Sequence, residues 1–101
     1  MPSRERGEAI KQRFASNLLR IRRDQGLTQE ALADLAGIHR TEASLLERGK
    51  REPRLGTLVK LAAALEVPLD AFLEGIDWLP PERTPGAAGG FRVKPDRVRS
   101  S

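Results

Sequence analysis

Apolar residues recur along this chain at helical spacing in five successive stretches. Phe14, Leu18 and Ile21, with Arg22 beside them, mark one inward face and predict a first helix ending near Gln25 and Gly26. Gly26 is placed to take the left-handed conformation that closes a helix. Thr28 then stands as the N-cap of a second helix, with Glu30 near the positive end of its dipole. Leu32, Ala33, Leu35 and Ala36 supply the buried side of that helix, and Gly37 stops it. Only Ile38 and His39 separate it from a third helix, which carries Ala43, Leu45 and Leu46 and runs to about Arg48 before Gly49. Pro53 prevents the loop Lys50–Arg54 from continuing as helix. A fourth helix follows with Leu55, Leu58, Leu61, Ala62 and Leu65 on one stripe. Val67 and Pro68 break it, and a short fifth helix carries Leu69, Phe72 and Leu73 up to Gly75.

The pattern changes at Ile76. Pro80, Pro81, Pro85, Gly86, Gly89, Gly90 and Pro95 exclude helix from there on. Two fragments, Ile76–Leu79 and Gly90–Val93, are candidate short strands flanking a Pro/Gly turn. The expected architecture is an all-α, compact five-helix domain over residues 9–75, with a disordered N-terminus over 1–8. The Pro/Gly-rich extension over 76–101 is either irregular or a β-hairpin, and disorder is expected after Lys94.

Composition narrows the function. A chain of 101 residues has room for one small domain and a tail. Four aromatic residues, three Phe and one Trp, are too few for a base-stacking platform or a β-sandwich. With no cysteine and a single histidine, disulfides, thiolate metal sites and His-rich metal sites are excluded, and no cofactor is expected. No leader-like apolar segment or membrane span is visible, so a cytoplasmic protein is expected.

The net charge of +4 is unevenly spread. Residues 1–26 hold seven basic against three acidic groups, and residues 27–75 six against eight. In that acidic middle, Arg48, Lys50, Arg51 and Arg54 cluster in one loop, which suits a directed contact with a polyanion better than diffuse attraction.

The informative feature is a pair of short helices joined by a tight glycine turn. Ala33 permits two steeply crossing helices to approach, and Gly37 tolerates the positive φ that the turn needs. Such a pair braces the third helix so that its N-terminal half protrudes and fits a major groove. The segment LTQEALADLAGIHRTEASLLERGKREPRLGTLVKLAAALEVPLDAFL resembles the phage Cro/CI-repressor-type (XRE-like) helix-turn-helix family, the likeness running from about Leu18 to Leu73. The resemblance implies a lambda-repressor-like fold and binding of double-stranded DNA, usually as a homodimer on a two-fold symmetric operator.

Carried over by position, Thr28 and Gln29 at the start of the second helix fall at the DNA face, with Gln29 on a phosphate. His39, Arg40, Thr41, Glu42 and Ser44 fall on the leading part of the recognition helix, with Leu45 at a position that often faces bases. Arg40 is assigned direct readout, because a guanidinium pairs two ways with guanine O6 and N7. Arg48, Lys50 and Arg51 are assigned to phosphates, and Arg54 to the backbone or minor groove. Arg22 and Glu47 match a family pair that forms a partly buried structural salt bridge. Glu42 departs from the pattern by setting an anion near DNA, and Ala43 stands where a larger aliphatic is usual. His39 and Arg54 replace common Ser or Thr caps.

Plainer readings stand beside these. Glu42 suits a backbone N–H at the start of the third helix better than it suits a cytosine. Leu45 suits the core or the groove, and the basic run from Arg4 to Arg13 suits a solvated helix face. Ile76, Trp78, Leu79, Phe91 and Val93 form either a cover for the core or a dimerisation hairpin. No nucleophile–base pair, phosphate loop or metal cluster points to an enzyme. The expected function is a sequence-specific transcriptional regulator, a repressor associated with the nucleoid. The alternatives are an antitoxin-like protein that autoregulates its operon, with the extension holding a protein partner, and an interaction module that has lost DNA binding.

Overall fold

The computed structural model describes residues 2–81 and 89–95. Its elements are α1 (Pro2–Asp24), α2 (Gln29–Ala36), α3 (Arg40–Glu47), α4 (Leu55–Leu65), a 3-10 turn (Leu69–Ala71), β1 (Ile76–Leu79) and β2 (Gly90–Val93). Met1, residues 82–88 and residues 96–101 lie outside the described residues, and with them the expectations of a Pro/Gly turn and a disordered tail.

Two expectations are corrected. The backbone of residues 2–8 is helical rather than disordered, because α1 begins at Pro2. Proline suits the first helical position, where its fixed φ matches the helix and its missing N–H is not needed. Further along, Glu8 and Lys11 pair at 3.1 Å one turn apart. Secondly, the fifth α-helix is only a 3-10 turn. Ala71, Phe72 and Leu73 donate three residues back, to Pro68, Leu69 and Asp70, at 3.0–3.1 Å. The segment is confined between Pro68 and Gly75, and side chains of α1 take the carbonyls of Phe72 and Glu74, which leaves no length for a full helix.

All four α-helices of the described residues close alike. Leu27, Ile38, Lys50 and Val67 donate their N–H groups to the carbonyls of Arg22, Ala33, Leu45 and Ala62 at 2.9–3.2 Å. This closure requires a left-handed residue just before the donor. Glycine supplies it three times, and Glu66, at φ 56°, supplies it for α4.

The core is built by Phe14 and Leu18 of α1, Leu32 and Ala36 of α2, Leu46 of α3, Leu61 and Leu65 of α4, and Phe72. Each of the larger side chains contributes about 1.5–3 kcal/mol through burial. Phe14 and Phe72 meet with ring centroids 5.9 Å apart. Within this frame α2 packs against α3 and α4, and α1 against α3 and β2.

The strands form an antiparallel hairpin in which Ile76, Asp77, Trp78 and Leu79 face Val93, Arg92, Phe91 and Gly90. Two α1 side chains tie its base to the domain. Asn17, fully buried, donates to the carbonyls of Phe72 at 2.8 Å and Glu74 at 3.0 Å. Arg13 Nε donates to the same Glu74 carbonyl at 2.9 Å. A Cβ on Gly75 would stand 2.6 Å from the Arg13 guanidinium, and its φ of +87° independently favours glycine. Arg13 is thus buried, not part of a solvated basic face.

Candidate nucleic-acid interface

The pair α2–α3 turns at Gly37, whose φ of 69° and ψ of 35° place it in the left-handed region. Thr28 Oγ1 accepts from the Ala31 N–H at 3.0 Å, which caps α2. Ala33 and Ala43, both buried, keep the two helices close. Ala43 therefore does not leave a loose contact; it is fully enclosed.

The base of α3 is held by one carboxylate. Arg22 grips Glu47 through two parallel bonds, Nε to Oε2 at 2.6 Å and Nη2 to Oε1 at 3.0 Å. Its third nitrogen donates to the Leu27 carbonyl at 2.7 Å. Gln29 Nε2 adds a further donor to Glu47 Oε1 at 3.1 Å. With the Glu47 side chain 4% exposed, this network locks α1, α2 and α3 together around a desolvated charge.

That fixed base sets what α3 presents. Ala43 and Leu46 point inward, whereas His39, Arg40 and Thr41 are exposed and Ser44 and Leu45 half-buried. Leu45 lies outside the main core cluster. Gln29, Arg40, Thr41 and Ser44 line one open depression of about 280 Å³. Gln29, assigned to phosphate, thus shares a surface with the recognition-helix residues while its amide is oriented by Glu47.

On the other flank Glu42 forms an ion pair with Arg51. Among the described residues its carboxylate bonds that guanidinium rather than a backbone N–H of α3. Glu42, Arg51, Glu52, Arg54 and Thr57 surround a second open depression of about 580 Å³. Arg48 and Lys50 are exposed beside it. His39 and Arg54 occupy the N-cap positions of α3 and α4 with extended backbone, and neither side chain makes a capping bond.

The hairpin packs against α1. Strand alternation sets Ile76, Trp78, Phe91 and Val93 on one side of it. Trp78 and Phe91 meet edge to face at 5.1 Å and remain exposed, while Ile76, Leu79 and Val93 are half-buried. Asp77 pairs with Arg92 at 2.8 Å, and that hydrogen bond holds its carboxyl below the usual carboxylate range despite partial desolvation.

Arg13 and Asn17 escaped the sequence reading as anchors. Asn17 interrupts the apolar stripe between Phe14 and Leu18, which was the available signal: a polar residue on a buried face needs partners. Arg13 gave no such sign, since a lysine-and-arginine-rich helix start normally faces water.

Residues 18–72 match the helix-turn-helix family designated HTH_3. An uncharacterized HTH-type transcriptional regulator of Bacillus subtilis, YqaE, is 40% identical over 62 residues, 61% of this chain and 53% of that protein. The chain thus spans about half the length of that relative. Control protein C.SmaI of Serratia marcescens is 39% identical over 63% of this chain and 76% of its own length. Among solved structures, the restriction-modification controller protein C.AhdI of Aeromonas hydrophila superposes with a TM-score of 0.62 at 36% identity, covering 63% of this chain and 97% of its own. No α-helix of the described residues is long and apolar enough to cross a membrane.

Proposed function

Because this chain belongs to the HTH_3 helix-turn-helix family, we propose that it is a transcriptional regulator that reads duplex DNA with α3. The observation that carries this reading is the polar, outward half of α3 held rigidly from behind. Arg40, Thr41 and Ser44 share a depression with Gln29, and Glu47 fixes the helix through Arg22 and Gln29. A reading helix needs that arrangement, since a side chain selects a base only when its backbone does not drift.

Arg40 is assigned to a base, and Thr41, Ser44 and Leu45 to the groove beside it. Gln29, Arg48 and Lys50 are assigned to phosphates, and Arg54 to the backbone or minor groove. The working unit is a homodimer with two recognition helices about 34 Å apart on one face of a two-fold symmetric operator. We assign its contact to the hairpin, where Trp78 and Phe91 leave an aromatic pair exposed. Repression follows by occupancy of the operator, in the cytoplasm. The domain that binds DNA is taken as residues 9–75, with 76–101 as the dimerising extension. Similarity to a restriction-modification controller protein supports the reading as a regulator.

The test is selection of bound duplexes from a randomised library, with affinity followed against salt. A palindrome with half-sites one helical turn apart supports the reading, as does a steep fall of affinity with salt. Recovery of no motif would refute it.

A further inference from the structure

Glu42 is the acidic residue in the first turn of α3, on the half of the helix assigned to the groove. Alone, a carboxylate there would repel the phosphates and would lose its hydration on docking. It is not alone, because Arg51 reaches back from the loop that follows the same helix and pairs with it. The pair lies at the surface, with the Arg51 side chain 53% exposed and that of Glu42 21%. A pair this accessible contributes little to folding stability. Nor does the carboxylate cap α3, since among the described residues its bond is to Arg51.

The pairing takes one carboxylate oxygen and one guanidinium nitrogen. Glu42 Oε2 and the Arg51 nitrogens Nε and Nη2 take no part in that bond. The major-groove edge of one base pair matches those groups. In a C·G pair, guanine N7 and O6 are adjacent acceptors and cytosine N4 is the neighbouring donor. In an A·T pair the donor lies between two acceptors, so a fork beside a carboxylate meets the wrong group.

We propose that Glu42 and Arg51 act as one recognition unit for a C·G base pair. Arg51 donates to guanine N7 and O6, and the free oxygen of Glu42 accepts from cytosine N4. The ion pair is made before DNA arrives, so neither side chain has to be ordered at the moment of binding. Arg51 thereby leaves the group of phosphate-binding residues and becomes a specificity residue. The proposal rests on the reading of α3 as the groove helix.

The experiment is duplex selection from a randomised library with the full chain and with E42Q, R51K, R51A and the double variant E42Q/R51A. The original protein is expected to require C·G at one position of each half-site, by roughly 5- to 150-fold over other pairs. E42Q and R51A are each expected to lose that preference and leave every other position intact, the double variant losing no more than either. R51K keeps the charge without the fork and is expected to lose the preference while holding general affinity. Thermal melting of all variants is expected to match the original. If the variants enrich the original motif unchanged and only shift affinity for all duplexes, the pair merely tunes phosphate binding and the proposal is overturned. If the original protein enriches no motif, the groove reading itself fails and takes the proposal with it.

Discussion

The side-chain amide of Asn17 donates to the backbone carbonyl of Phe72 at 2.8 Å, in a place from which water is wholly excluded. This bond, with its companion to Glu74, joins the first helix to the last turn of the helical domain across more than fifty residues of chain. It also decides where the helical part ends and the hairpin begins. Asn17→Ala leaves the buried Phe72 carbonyl without this donor, while the Glu74 carbonyl keeps Arg13, and is expected to cost about 1–3 kcal/mol. Urea unfolding would measure it, and a cost below that of an exposed alanine substitution would remove the assigned role.

Glu47 is the point at which three helices meet. Glu47→Ala strands the Arg22 guanidinium, which is 12% exposed, and is expected to destabilise by on the order of 3 kcal/mol. Glu52→Ala, on the exposed loop, serves as the comparison. Equal melting temperatures for the two variants would show that the network does not hold α3.

Arg40 and Lys50 separate two kinds of contact. Arg40→Ala is expected to relax selection at one base pair and to cost about 1–3 kcal/mol on the selected duplex. Lys50→Ala is expected to weaken all duplexes alike and to reduce the salt slope by about one. Titration of selected and scrambled duplexes at several salt concentrations measures both. Parallel losses for Arg40→Ala would assign it to phosphate instead.

Arg54 sits at the N-cap of α4 without capping it. Serine there would accept from the free N–H groups of the first turn, so Arg54→Ser is expected to raise stability by about 0.5–1 kcal/mol. The same change is expected to weaken DNA binding. A variant that melts higher and binds equally well would show that Arg54 does not touch DNA.

Asp77 provides the pH-dependent element. Its bond with Arg92 favours the ionised carboxyl and lowers its pKa. The stabilisation is therefore present above the ordinary carboxylate range and is lost as pH falls through the lowered midpoint. Asp77→Asn is expected to flatten the acid limb of hairpin stability. Resonances of Trp78 and Phe91 followed against pH report it, and identical acid profiles for the two proteins would contradict the assignment.

The helix closures were legible residue by residue. Gly26, Gly37 and Gly49 mark left-handed positions by their identity, Thr28 is a recognisable cap, and the spacing of Leu18, Leu32, Leu46, Leu61 and Leu65 selects the buried face. The fourth closure was not, because Glu66 adopts the left-handed conformation without any sign in its side chain. The early start of α1 was also hidden, since residues 2–8 carry no apolar stripe. At the candidate site, Arg40, Thr41 and Ser44 were placed together by the family resemblance. That Gln29 is oriented by Glu47 could not be read from it.

Local order in this protein, then, was written in short-range signals: turn glycines, a capping hydroxyl and apolar spacing act within a few residues and are readable one stretch at a time. The Asn17 anchor, the shortening of the fifth helix to a single turn and the Glu42–Arg51 pair were settled only by tertiary structure. Each depends on a hydrogen-bond partner brought near by packing, and a donor's choice among distant carbonyls or carboxylates follows from which of them the fold desolvates beside it.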